Sequence, residues 1–356
     1  MIHNVVHKIR ELQGAISRPV RLMEVCGTHT VAIFRHGIRD LLPEGIQLLS
    51  GPGCPVCVTS IRDVDTVIAL SRVKDVVIMT FGDMMRVPGD SKSLSHAKSE
   101  GSDIRIVYSP LDALKTAKDH RDKLVVFFAA GFETTSPLVA ATISEAEHSG
   151  IDNFYIYSVH KTVPPALKAL LDSGEVRVDG FILPGHVSTI IGKAPYNFIA
   201  SDYHKPSVIT GFSANDILIG IMMILEQILK GQALVENQYT KAVKDEGNLK
   251  AVSMMNEYFG PTDAEWRGIG ILPGSGLELR GQFHHRDIRS VLNPHVPEGK
   301  EPKACSCGDV LKGMKIPPDC GLFGKACTPE KPVGACMVSS EGSCSAYYRY
   351  VGMKSR

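Results

Sequence analysis

The stretch Leu124-Val-Val-Phe-Phe-Ala-Ala130 decides the fold. It is a continuous apolar run without polar alternation, rich in β-branched and aromatic residues, so it reads as a strand buried on both faces. Such strands belong to parallel sheets covered by helices. Working outward, the same signature recurs in Val20-Arg-Leu-Met-Glu-Val25, Asp75-Val-Val-Ile-Met-Thr-Phe81, Ile104-Arg-Ile-Val-Tyr108, Asn153-Phe-Tyr-Ile-Tyr-Ser158, Gly180-Phe-Ile-Leu183 and Ser207-Val-Ile-Thr210. Helical patterns alternate with these runs, among them 30–42 and 111–121. About eight units of this kind exceed one ordinary sheet and predict an α/β protein with two doubly wound parallel-sheet domains. The expected division is 1–120 for the first, carrying Cys26 and Cys54/Cys57, and 121–291 for the second. A Pro/Gly-rich and charged linker over 292–303 then leads to a small, loop-rich, cysteine-rich domain over 304–356 that reads as an iron–sulfur module.

The 39 Lys and Arg residues nearly balance the 38 Asp and Glu residues. That excludes a strongly charged surface, so nucleic acid and anionic membranes are not expected partners. The N-terminal residues lack the apolar stretch of a signal peptide. The most apolar segment, 217–225, is stopped by Asp216 and Glu226, well short of the roughly 20 residues needed to span a bilayer, and reads as a buried helix. An odd number of cysteines, nine, without a secretion signal points to a reducing compartment, the cytoplasm.

Unusual motifs fall where strands end: Cys26-Gly-Thr-His29, Gly51-Pro-Gly-Cys-Pro-Val-Cys57, Phe81-Gly-Asp-Met-Met-Arg-Val-Pro-Gly89, Gly131-Phe-Glu-Thr-Thr135 and Leu183-Pro-Gly-His186. Ligands of open α/β sheets bind outside the carboxyl ends of the strands, so all five can converge on one cleft between the domains. An isolated cysteine is more often a buried structural residue. Cys26, at a strand end and ahead of a helix whose free N–H groups favour a thiolate, reads instead as a ligand or nucleophile, with His29 close enough to assist. Cys54 and Cys57 have the spacing of a dithiol couple or of half a tetrahedral metal site. No second Cys-x-x-Cys completes a zinc ribbon, which leaves redox exchange or iron held jointly with Cys26. Asp83, Arg86, Glu133 and His186 are polar strand-end residues that can line the cleft or serve as caps and ion pairs. The glycines meet no phosphate-loop or dinucleotide pattern.

Six cysteines, Cys305, Cys307, Cys320, Cys327, Cys336 and Cys344, crowd the tail. Six exceed one tetrahedral zinc site by two, whereas a [4Fe–4S] cluster takes four and leaves a pair for a disulfide. The spacing alone does not choose the four.

Together these motifs, with Cys344-Ser-Ala-Tyr-Tyr-Arg349, resemble those of the hydrogenase maturation protein HypD family along the whole chain. The resemblance implies a scaffold for the Fe(CN)2CO unit of [NiFe]-hydrogenases. In that family a partner, HypC, shares the iron, here Fe(II) carrying cyanide and carbonyl, with the cysteine matching Cys26. HypE supplies cyanide and HypF prepares it. By analogy with ferredoxin:thioredoxin reductase, the resemblance further implies Cys305, Cys320, Cys327 and Cys344 as cluster ligands, with Cys307 and Cys336 as a second redox pair. A stand-alone thiol–disulfide oxidoreductase using Cys54 and Cys57 is the rival reading, and a zinc-stabilised interaction module a third.

Overall fold

A computed structural model describes residues 2–297 and 299–351. Met1, Glu298 and 352–356, which the expected limits of the first domain, the linker and the tail include, lie outside the described residues.

The strands in chain order are β1 Val20–Glu24, β2 Ile46–Ser50, β3 Val76–Thr80, β4 Ile104–Ile106, β5 Leu124–Ala129, β6 Phe154–Ser158, β7 Gly180–Pro184, β8 Ser207–Thr210 and β9 Val235–Asn237. The hairpin strands β10 Phe259–Trp266 and β11 Gly270–Leu279 follow. Two parallel sheets form, ordered β2-β1-β7-β8-β9 and β4-β3-β5-β6, while β10 and β11 pair with each other antiparallel. In the four-stranded sheet β3 is buried at every position and β5 at all but its first, as unbroken apolar runs require.

The expected boundary near residue 120 does not separate the sheets. Val76 of β3 pairs with Leu124 of β5 across it, and Leu22 of β1 pairs with Gly180 of β7. The four-stranded unit is therefore inserted between β2 and β7 of the five-stranded one. Buried parallel strands look alike in sequence, and their order depends on crossovers that hydrophobic pattern does not encode.

The helix expected over 30–42 begins earlier and breaks. It runs Gly27–Arg35, then Ile38–Leu41, because Gly37 takes a left-handed conformation, φ 61°. Cys26 is its N-cap, which places Thr28 and His29 in the first turn. The 217–225 segment is the buried heart of the helix Ala214–Leu229, started by a Ser213/Asp216 capping box and packed on the helix Ile2–Ile16. No described helix is long and apolar enough to cross a membrane.

The tail is not an appendage. Leu311, Cys307 and Cys336 share a core with Met23, Leu49 and Phe181, while Ala335 and Val338 enter the core of the second sheet. The helix Ser343–Val351 docks on Gly27–Arg35, with the Phe34 and Tyr347 rings edge to face at 4.5 Å and the Arg39 guanidinium 4.9 Å from the Phe34 ring. The stretch before it also packs rather than dangles: Lys300 N–H donates to Asp90 Oδ1 at 3.2 Å.

Candidate thiol and metal centre

All five strand-end motifs meet at one cleft of about 520 Å³, to which they contribute Cys26, Gly53, Asp83, Gly131 and His186 among others. Close approach makes this possible. The Gly53 carbonyl accepts the Gly27 N–H at 2.9 Å, and a Cβ on Gly53 would lie 2.2 Å from the Cys26 backbone nitrogen. Only glycine lets the loop before Cys54 lie against β1.

One wall comes from a residue the sequence did not single out. Glu341 of the tail lines the cleft, and its Oε1 accepts the Thr28 hydroxyl at 2.8 Å. A Cβ on Gly27 would sit 2.6 Å from the Glu341 Cβ, so the second residue of Cys-Gly-Thr-His is the seat for the tail. A tail carboxylate has no local signature; its role follows from docking alone.

Cys26 is buried, and its thiol is pushed up to about 12. Burial is the main cause; the His29 and Thr28 backbone N–H groups oppose it, and Glu341 and Glu24 reinforce it. The helix terminus does supply N–H groups, but without a cation the free thiol stays protonated, contrary to the thiolate expected from sequence. Glu24, two residues earlier at the end of β1, is buried: Oε2 accepts the Cys26 N–H at 3.2 Å and Oε1 the Thr30 hydroxyl at 2.5 Å. Burial raises it to about 7, against the hydrogen bonds of Thr30, Ser50 and Cys26. A carboxylate inside an apolar strand was the signal that could have found it.

The His29 imidazole does not turn towards Cys26. Its Nε2 is 3.0 Å from the Gly211 carbonyl oxygen and 3.0 Å from Thr210 Oγ1. A carbonyl only accepts, so Nε2 carries the proton, and burial lowers the ring to about 4. His29 assists the thiol through its backbone N–H. Phe212 lies between His29 and the cleft's His186, with ring centroids 4.7 and 4.0 Å away.

Asp83 and His186 line the cleft as expected, but Arg86 and Glu133 do not. Arg86 donates from Nη2 to the Val338 carbonyl at 3.0 Å and from Nη1 to that of Pro329 at 3.4 Å, while Asp83 accepts the Ser339 hydroxyl at 2.7 Å. This motif clasps the tail. Glu133 is buried, with Oε1 accepting the Val163 N–H at 2.8 Å and Oε2 without a partner.

Cys54 and Cys57 lie behind the cleft as free thiols, 3% and 0% exposed. Burial, then the hydrogen bond and charge of Cys54, hold the Cys57 thiol far above its usual range. Their turn, Pro55–Val58, packs on Ala335–Met337. Among the described residues no group of three or more His, Cys, Asp or Glu side chains stands arranged around a metal position, in the cleft or in the tail.

In the tail Cys307 and Cys336 are joined as a disulfide. With Cys305, Cys320, Cys327 and Cys344 they line a narrow, largely apolar chamber whose other walls include Leu322, Phe323 and Met337. Four free thiols facing one apolar space fit the donor set of a [4Fe–4S] cluster. Two details support the fit. The Val333 N–H points at Cys327 Sγ, 3.3 Å away, and a Cβ on Gly334 would come 2.7 Å from Cys305 Sγ, so glycine leaves the sulfur room. Burial raises Cys320, but the N–H groups of Ser306, Leu322 and Phe323 and the Ser306 hydroxyl outweigh it, and the net shift is downward.

Comparison with known proteins agrees with the motifs. The family described as HypD, hydrogenase formation hypA family, matches residues 1–351. The chain is 46% identical to a putative hydrogenase expression/formation protein of Methanocaldococcus jannaschii, over 98% of this chain and 97% of that one. It is 43% identical to the hydrogenase maturation factor HypD of Escherichia coli, over 98% and 94%, and 45% identical to that of Rhodobacter capsulatus, over 97% and 93%. On a match of this extent, the chain belongs to the HypD family of hydrogenase maturation factors.

Proposed function

We propose that the protein is the scaffold on which the iron unit of a [NiFe]-hydrogenase, Fe(II) bearing cyanide and carbonyl, is assembled, with Cys26 as its own thiolate ligand. The observation that carries this is the stacking of three elements: Cys26 in the cleft beside the tail's Glu341, the Cys54/Cys57 turn behind it, and the disulfide and four-thiol chamber against which that turn packs. Arriving iron displaces the Cys26 proton, as metal binding to a thiol requires. The cleft is wide enough for a small partner's cysteine to complete the coordination, the part HypC would take, with HypE as cyanide donor after HypF.

Cyanide carried on a partner's sulfur leaves only with two electrons. A dithiol supplies them: the thiocyanate and two thiols give a thiol, cyanide, a proton and a disulfide. Cys54 and Cys57 are the dithiol placed for this. A [4Fe–4S] cluster, when bound by Cys305, Cys320, Cys327 and Cys344, supplies electrons singly. The free thiols suit the cytoplasm.

The stand-alone oxidoreductase fits less well, because it leaves Cys26 in the cleft and the four free thiols of the tail without a part. The test is infrared spectroscopy of the anaerobically purified protein with HypC. Bands of metal-bound cyanide and carbonyl are expected in wild type and absent in Cys26→Ser, with the tail's visible absorption unchanged. Undiminished bands in the variant would reassign the iron ligand.

A further inference from the structure

Arg267 follows β10 and is enclosed, its side chain 1% exposed. Nη1 donates to the Pro88 carbonyl at 2.7 Å; Nε stands 3.5 Å from Glu301 Oε1, an ion pair without a hydrogen bond; Nε and Nη2 have no hydrogen-bond partner. An ion buried with so few partners is destabilising, and an apolar side chain of similar volume would suit the fold better. A function is the better account.

Its position suggests which. The Arg267 N–H donates to the carbonyl of Val58, the residue after Cys57, at 2.9 Å. On the other side Gly268, φ 71°, is pressed against Gly308, the residue after Cys307: a Cβ on Gly308 would lie 2.0 Å from the Gly268 oxygen. The segment is wedged between the two cysteine pairs. Burial lowers the guanidinium from its usual range, and Glu301, Cys305, Asp65 and Cys57 pull it back up.

We propose that Arg267 is a positioning residue for electron transfer between the tail and the Cys54/Cys57 pair, its enclosed positive charge holding the negative charge that passes between them. The proposal rests on the relay reading above. In the exchange a thiolate of the reduced Cys307/Cys336 pair attacks the Cys54–Cys57 bond that cyanide release leaves, one sulfur of that bond leaves as a thiolate, and the second tail thiol closes the Cys307–Cys336 bond, the state the structure holds. Two electrons and two protons pass from one pair to the other, with no outside reagent. The same charge favours the reduced, more negative state of a cluster held by Cys305.

The test uses the full chain, prepared anaerobically and poised in glutathione buffers. Acid quenching, alkylation and mass spectrometry report which pair is oxidised and how fast the bond moves; visible spectra report the cluster. Arg267→Gln should slow the exchange by about tenfold, the scale of a lost charged hydrogen bond. It should also lower the reduced-to-oxidised cluster ratio at fixed poise by about tenfold, about 59 mV for one electron. Arg267→Lys should restore most of both, and Glu301→Gln, which removes the opposing charge, should move the cluster ratio the other way. If Arg267→Gln fails to fold, Glu301→Gln carries the test. Wild-type rates and ratios in Arg267→Gln, equal losses in Arg267→Lys, or a Glu301→Gln ratio that does not rise would overturn the proposal. A wild type whose bond never moves at any poise would sink the relay instead, and the cluster ratio alone would then judge Arg267.

Discussion

The cleft and the tail both bury cysteines, yet only the tail sets N–H groups against burial strongly enough to lower a thiol, Cys320. At the cleft, burial wins: Cys26 and Cys57 are pushed up and wait as neutral thiols. In the tail, N–H groups of Ser306, Leu322 and Phe323 overcome burial at Cys320, and Val333 points another at Cys327. Cys305 and Cys344 are raised, first by burial and then by the other chamber sulfurs, a crowding that a cationic core relieves. On the function proposed, iron would come and go at the neutral thiols of the cleft, and a cluster would be kept where N–H groups already face Cys320 and Cys327.

If the two regions were independent modules, removing the tail would leave the rest folded. The structure predicts the reverse. Leu311 and Val338 are buried among residues of the two sheets, and losing even one such side chain typically costs about 2–5 kcal/mol against a total of about 5–15. Truncation before Cys305 should abolish the cooperative thermal transition; a sharp transition near the wild-type midpoint would show the tail to be dispensable.

Two glycines allow a finer separation. Gly53→Ala puts a methyl against the Cys26 backbone, which cannot yield, and should destabilise by about 3 kcal/mol while removing bound iron. Gly334→Ala crowds Cys305 Sγ and should lower cluster content, seen as visible absorption per chain, with iron at Cys26 less affected. Loss of both metals in both variants would mean that the sites are one cooperative unit.

These contrasts were partly legible in the sequence. The strand-end motifs could be placed on one cleft because apolar runs stop abruptly at Cys26, Gly51, Phe81, Gly131 and Pro184, and parallel strands end on one side. Strand order was not legible, since β1 finds β7 across more than a hundred residues and either neighbour would satisfy its side chains. Nor were Glu341, Arg267 and the clasp role of Arg86, because a charged residue's function depends on what docks against it. The Glu24 carboxyl could have been flagged, whereas the His29 ring, drawn to Gly211 by burial, could not.

The buried carboxyls at the strand ends, Glu133 among them, should also make stability depend on pH. Burial raises Glu133 from 4.5 to about 7, with its own N–H and that of Val163 opposing. The folded state thus holds the proton more tightly than the unfolded state, a contribution complete below about 4.5 and lost as pH rises through about 7. Its size is about 3 kcal/mol at most. Glu133→Gln should therefore flatten the fall in melting temperature between pH 5 and 8, with the tail's absorption unchanged throughout. Parallel curves for variant and wild type would show that Glu133 does not titrate in this window.

The smallest effect lies at the seam. The Thr28 hydroxyl donates to Glu341 Oε1 at 2.8 Å in a partly buried contact that joins the first turn after Cys26 to the tail. Thr28→Ala should cost about 1 kcal/mol, a typical hydrogen bond, and Thr28→Ser should recover most of it. Because the Gly27 backbone still seats Glu341, the infrared bands of bound iron should persist in Thr28→Ala. Their loss at unchanged melting temperature would mean that the Thr28–Glu341 bond shapes the iron site itself, and the division between a waiting cleft and a keeping tail would have to be redrawn with Glu341 on the cleft's side.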